Sequence, residues 1–141
     1  METNKMIRVK NDRVELDTIV AFVEELDELW NIGVKTACEI NLMLEELFIN
    51  SVSYAYAENE QGAVEIKFTH SPGLLTIQYS DDGAAFDPLT IKAADTGADI
   101  MQRQIGGLGM HLIRKLSDSV EYKRLNNSNV LIITKKINAD Q

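Results

Sequence analysis

Residues 36–57, TACEINLMLEELFINSVSYAYA, decide the fold. Apolar or small side chains at Ala37, Ile40, Leu44, Leu47, Phe48, Ser51 and Ala55 recur at the spacing of one helical stripe, which predicts a long helix with that stripe on the core. Glu46 and Asn50 fall one helical turn apart and project from one side, roughly 40° apart about the axis. Their side is not the stripe, yet its neighbours Leu42, Met43, Ile49 and Ala57 are also apolar or small. A helix apolar nearly all round is expected to be covered on both sides. A carboxylate and an amide on a covered second side need partners, and a bound ligand is one candidate.

Towards the N-terminus, Thr36 and Glu39 have the Ser/Thr-x-x-Glu spacing of a capping box that starts this helix. Gly33 reads as the left-handed cap of a preceding helix, which runs from an Asp17 N-cap to about Asn31 with Ile19, Phe22, Val23, Leu26, Leu29 and Trp30 on one face. Met6–Val14 alternates weakly and predicts an edge strand or short hairpin.

Towards the C-terminus the period changes to two. Val64, Ile66 and Phe68 alternate, Ser71-Pro72-Gly73 turns the chain, and Leu75, Ile77 and Tyr79 alternate again in a strand that runs directly into Asp81. From Ala84 to Ile105 periodicity is lost, and a segment of that length reads as a lid, about residues 88–106. It closes on Gly106-Gly107-Leu108-Gly109 before MHLIRKL, which suits a short helix. Val120–Arg124 and Val130–Ile137 then form a second hairpin around Asn126-Asn127-Ser128.

The 141 residues are enough for one domain, residues 1–141, and its 45% hydrophobic and 26% charged content is that of a soluble globular protein. No apolar run approaches a membrane span, and the first residues, METNKMIRVKND, lack a signal peptide's apolar segment, so a cytoplasmic protein with no membrane partner is expected. Cys38 is the only cysteine, which excludes an internal disulfide and a cysteine-cluster metal site, and it is expected to pack in the core. A net charge of -8 argues against direct nucleic-acid binding. The acids Glu24, Glu25, Asp27 and Glu28 read as a solvated helix face, with a docking surface for a basic partner as the alternative.

Three groups could carry chemistry: Glu46 with Asn50, Asp81-Asp82-Gly83 at a strand end, and the glycines before a helix. Each has a plain alternative when taken alone. The glycines could be a flexible join, or they let backbone approach phosphates while the next helix offers free N–H groups. Asp81 could be a turn residue, or its carboxylate accepts a hydrogen bond from an amino group such as that of adenine.

In their order, ELFIN, DDG followed by FDP, and GGLGMHLIRKLSD, the chain resembles the GHKL ATPase superfamily with its Bergerat ATP-binding fold, and more closely the small bacterial anti-sigma factor serine kinases. The resemblance runs from the first helix to NVLIITKKI. It implies an α+β two-layer sandwich, a mixed, mostly antiparallel sheet with helices on one face, and ATP held between helices and lid.

The same resemblance implies roles for single residues. Asn50 matches the amide that coordinates magnesium on the phosphates, and Glu46 the acid that takes the proton of an attacking hydroxyl. Asp81 matches the adenine-reading carboxylate, with Gly83 letting the base approach. Gly106, Gly107 and Gly109 match the phosphate-cradling glycines, with Leu108 and Met110 in the same box, and Thr134 helps hold adenine through water. Arg103 reaches the terminal phosphate or is an exposed lid arginine. Independently of the family, one amide oxygen plus phosphate oxygens is a reasonable Mg2+ site, and phosphoryl transfer needs chiefly positioning and a carboxylate that orients the nucleophile. Glu45, rotated about 100° from Glu46, is assigned a structural role.

Two positions depart from the family pattern. Ala85 replaces a frequent glycine after the Asp-x-Gly box, and Tyr54 stands where relatives often carry histidine, although tyrosine can still donate a hydrogen bond. The function expected from the resemblance is a Mg-ATP-dependent protein-serine kinase that phosphorylates a STAS-domain anti-anti-sigma protein and otherwise binds a sigma factor. The alternative is an ATP-gated binding regulator without phosphoryl transfer, against which an intact Glu46 argues. A detached histidine-kinase catalytic part is disfavoured by length and by the positions of His70 and His111. Proteins of this kind often form homodimers, though no stretch here argues an interface.

Overall fold

The computed structural model describes residues 2–90 and 110–137. Alternation of period two in the second half of the chain builds a five-stranded sheet: β1 (Thr3–Lys10), β2 (Ala63–Ser71), β3 (Leu74–Asp81), β4 (Ser119–Leu125) and β5 (Ser128–Lys136), in the order β1-β2-β3-β5-β4. Every pairing is antiparallel, so the expected α+β sandwich stands with no parallel pair among the described strands. On the covered face, Val64, Ile66 and Phe68 meet Leu75, Ile77 and Tyr79, while Lys67 and Gln78 point to water on the other. Such one-sided alternation is what an antiparallel sheet with one solvated face requires.

Helix α1 (Leu16–Trp30) buries Ile19, Val23, Leu26 and Trp30, and α2 (Val34–Asn50) buries Ile40, Met43, Leu44, Leu47 and Phe48. These side chains join the inward residues of β2, β3 and β5 in one core. A third helix, α3, covers residues 110–116 and adds Met110 and Ile113 to that core. Glu24, Glu25 and Glu28 are exposed, as a solvated acidic face requires, and so is Leu29.

The helix ends differ from expectation in instructive ways. Asp12, not Asp17, caps the start of the first helical segment, its carboxylate accepting from Val14 N–H at 3.1 Å in a short 3-10 turn ahead of α1. The left-handed residue that ends α1 is Asn31, at φ 52°, while Gly33, at φ 101°, begins α2 and donates its N–H to Asp27 Oδ1 at 2.8 Å. With α2 starting at Val34, Thr36 lies inside the helix and no capping box forms; Glu39 instead pairs with Lys135 at 3.0 Å. Cys38 is exposed, not packed. The expected turns both form: Gly73 (φ 80°) joins β2 to β3, and Asn126 and Asn127, both left-handed, join β4 to β5.

Helix α2 ends at Asn50, and the chain continues through Ser51–Ala55 as a wider π-helical turn. The apolar pattern does not reveal that widening, because Ser51 and Ala55, which continue the helical stripe in the sequence, stay buried in the wider turn. Its consequence is local: Ala55 O accepts from Ala84 N–H at 2.7 Å, so the turn after α2 is tied to the loop after β3. Insertions of this kind into α-helices are frequent at functional sites.

Candidate functional site

Asn50 and Asp81 reach one cavity by different routes. Asn50 closes α2 on its inward side, and Asp81 closes β3 in the buried series that contains Leu75, Ile77 and Tyr79. Together with Leu47, Ser51, Tyr79, Phe86, Pro88, Tyr122 and Asn129 they line one small recess that is partly open to solvent. The pocket walls are apolar, with a few convergent polar groups, the make-up of a small-molecule site.

Asn50 is 1% exposed, and both polar atoms of its side chain lack a hydrogen-bond partner among the described residues. Glu46 Oε2 is likewise shielded and unpartnered. Burying such groups unpaired is costly, so the arrangement fits a ligand that supplies the missing partners. Burial, followed by the nearby Glu45 charge, raises the Glu46 pKa above the ordinary carboxylate value. The side expected to be covered is covered only in part. Met43 is buried, Glu46 and Ile49 are half-buried, and Leu42 and Glu45 are exposed.

Asp81 is held by three donors. Ser51 Oγ donates to Oδ2 at 2.7 Å, while Gly83 N–H and Asn129 Nδ2 donate to Oδ1 at 3.1 and 2.8 Å. Tyr79 O–H bonds to Ser51 Oγ at 2.8 Å, and burial lifts that phenol well above its usual pKa. Asp82 has a different task. It turns away from the cavity and accepts from Tyr56 O–H at 2.6 Å and Ala63 N–H at 3.0 Å. Desolvation opposes ionisation of Asp82, but these hydrogen bonds outweigh it and hold its carboxyl below the ordinary value.

Packing at Gly83 leaves no room for a side chain: a Cβ there would lie 2.3 Å from Ala55 O and 2.7 Å from Ala55 Cβ, both in the π-helical turn. Arg124 Nη1 then donates to Gly83 O at 2.8 Å from β4.

Thr134 and Met110 sit away from these groups, and Tyr54 packs on the pocket-lining Phe86. Thr134 pairs with Thr76 and Ser119, five positions along β5 from Asn129, which is the residue opposite Asp81. Its hydroxyl bonds to Ser119 Oγ, so it is remote from the Asp81 carboxylate. Tyr54 is 46% exposed and packs its ring on Phe86, 5.2 Å between centroids. Met110 is 2% exposed in the hydrophobic core. Arg103, Gly106, Gly107, Leu108 and Gly109, and residues 91–106 of the expected lid, lie outside the described residues.

Sequence reasoning missed Ser51, Tyr79, Tyr122, Arg124 and Asn129. The available signal was a polar residue in an inward phase: Asn129 precedes Leu131 and Ile133 on the buried face of β5, just as Asp81 follows Ile77 and Tyr79 on β3.

Comparison with known proteins places this geometry among relatives. The family model described as histidine kinase-like ATPase domain matches residues 9–135. A serine-protein kinase RsbW of Listeria monocytogenes serovar 1/2a is 32% identical over 107 residues, covering 73% of this chain and 68% of that protein. The serine-protein kinase RsbW of Bacillus subtilis strain 168 is 30% identical over 109 residues, covering 73% of this chain and 66% of its own length. The serine/threonine-protein kinase BtrW of Bordetella bronchiseptica is 25% identical over 95 residues, 67% of each chain. Among solved structures, the histidine kinase domain of the Erythrobacter litoralis EL346 blue-light activated histidine kinase superposes with a TM-score of 0.52 at 18% identity, over 86% of this chain and 59% of that one. At that identity the likeness speaks for the fold alone.

Proposed function

The chain belongs to the histidine kinase-like ATPase domain family and is a protein-serine kinase like its curated relatives; from that premise we propose that it uses Mg-ATP to phosphorylate a STAS-type anti-anti-sigma protein and otherwise binds a sigma factor. The observation that carries the proposal is the buried, unpartnered carboxamide of Asn50 beside Glu46, in the cavity that Asp81 also lines. An amide oxygen is a hard ligand suited to Mg2+, which takes its other ligands from phosphates and water.

Bound Mg-ATP supplies the transferable phosphoryl group and the neutralisation of its charge. The chain's own residues do the rest. Asn50 would hold the metal through its carboxamide oxygen, and Asp81 would accept a hydrogen bond from the exocyclic amino group of adenine. Glu46 accepts the proton of the partner's serine hydroxyl. Its raised pKa makes it a stronger base than an ordinary carboxylate, closer to the operating pH at which a general base works best. It is half-buried and lies one helical turn before Asn50, on the same side of α2.

The test is nucleotide-dependent stabilisation. A ligand at a hundred times its Kd raises the unfolding free energy by about 2.7 kcal/mol. Millimolar Mg-ATP is therefore expected to raise Tm measurably, and an unchanged melt counts against the site. ATP binding without transfer to any STAS-domain protein would favour a gated binder instead.

A further inference from the structure

Asn129 sits at the centre of the polar groups around Asp81, and its amide is fully engaged. Nδ2 donates to Asp81 Oδ1 and to Ala84 O, both at 2.8 Å. Oδ1 accepts from Phe86 N–H at 3.0 Å, Tyr122 O–H at 2.6 Å and Arg124 Nη1 at 3.2 Å. Chemistry fixes which way the amide points. The Phe86 N–H and the Arg124 guanidinium can only donate and must meet oxygen, whereas the Ala84 carbonyl can only accept and must meet nitrogen. Asn129 therefore has no capacity left to read a base itself.

What it does is decide how Asp81 is presented. An ionised carboxylate offers about four lone-pair sites. Those on Oδ1 are taken by Gly83 N–H and Asn129 Nδ2, and one on Oδ2 by Ser51, so the remaining acceptor site is on Oδ2. We propose that Asn129 is a positioning residue for base recognition: by holding Asp81 Oδ1, it leaves Oδ2 as the acceptor for the exocyclic amino group of adenine. This rests on the reading of the cavity as the nucleotide site. The same amide anchors the loop after β3, since Ala84 O and Phe86 N–H flank its Ala85. Base preference is thus set from β5, by a residue that does not touch the base.

Asn129→Asp is the informative change. It keeps the shape and the acceptor side that Phe86, Tyr122 and Arg124 use, but turns the donor facing Asp81 into an acceptor. ATP and GTP affinities of the intact chain, measured by calorimetry, give a selectivity ratio that a general loss of folding does not shift. The ratio is expected to fall at least about tenfold in Asn129→Asp, the size of one lost hydrogen bond to a charged group. Combined with Asp81→Asn, the second change should add no further loss of selectivity. An unchanged ratio, or equal weakening of both nucleotides, overturns the positioning role while leaving the nucleotide site standing. A wild-type chain that shows no preference for ATP removes the site reading and this proposal with it. If Asn129→Asp does not fold, Asn129→Ser carries the same comparison, with the same outcomes deciding.

Discussion

Ser51 donates its hydroxyl hydrogen to Asp81 across 2.7 Å, joining the residue just after Asn50 to the end of β3. The turn that follows α2 and the end of β3 are therefore joined by hydrogen bonds, since Ser51 also receives Tyr79.

Ser51→Ala tests that unit. It leaves the Asp81 carboxylate and the buried Tyr79 hydroxyl each short of a partner, and an unsatisfied buried group costs about 1–3 kcal/mol. Chemical denaturation should show a loss of that size, and ATP affinity should fall in parallel because Asp81 loses a restraint.

Gly83→Ala should be more damaging than its size suggests. The added methyl meets the Ala55 carbonyl and Cβ inside ordinary contact distance, so the π-helical turn or the Asp81 loop must shift. Loss of nucleotide binding with a lowered Tm is expected. A variant with wild-type affinity would show that the turn yields freely.

Glu46 carries a pH signature. Its folded pKa is raised, so between the unfolded value near 4.5 and the raised value the folded state binds more protons than the unfolded state. Stability contributed by this group is full at low pH and declines as pH rises through that window. Glu46→Gln removes the decline, so the variant is expected to melt higher than wild type at neutral pH, with the gain shrinking as pH falls towards the unfolded value. A variant that melts lower at neutral pH would contradict the burial that raises this pKa.

Lys135 links three elements. Its ammonium donates to Leu116 O at the end of α3, at 2.6 Å, and pairs with Glu39 of α2 from the inward face of β5. Removing one partner of a shielded pair is destabilising. Lys135→Met should lower the unfolding free energy by about 1–3 kcal/mol through the freed Leu116 carbonyl and the unpaired Glu39. A melt equal to wild type would show that α3 is held by its apolar contacts alone.

Much of this was legible in the sequence, and the parts that were not share a physical cause. Periodicity located both hairpins, both long helices and the inward phase of β3, because burial writes a period directly into residue choice. The pair Glu46 and Asn50, and Asp81 at a strand end, were readable as polar groups in places that burial disfavours. What pattern could not show was register across strands. Asn129 faces Asp81 only because β5 pairs with β3 in one alignment, and the same alignment carries Thr134 to the other end of the sheet. The cap at Asn31 and the start of α2 at Val34 were missed because several polar residues near a helix end can serve, and tertiary contacts such as Asp27 with Gly33 choose among them.

The most direct test of the central claim is phosphoryl transfer from labelled ATP to a STAS-domain partner, comparing wild type with Glu46→Gln at saturating Mg-ATP. Wild type should yield a phosphoserine product, and Glu46→Gln should bind nucleotide with similar affinity while transfer falls by a factor of about 10²–10⁴, the usual worth of a general base. Transfer by Glu46→Gln at the wild-type rate would contradict the account.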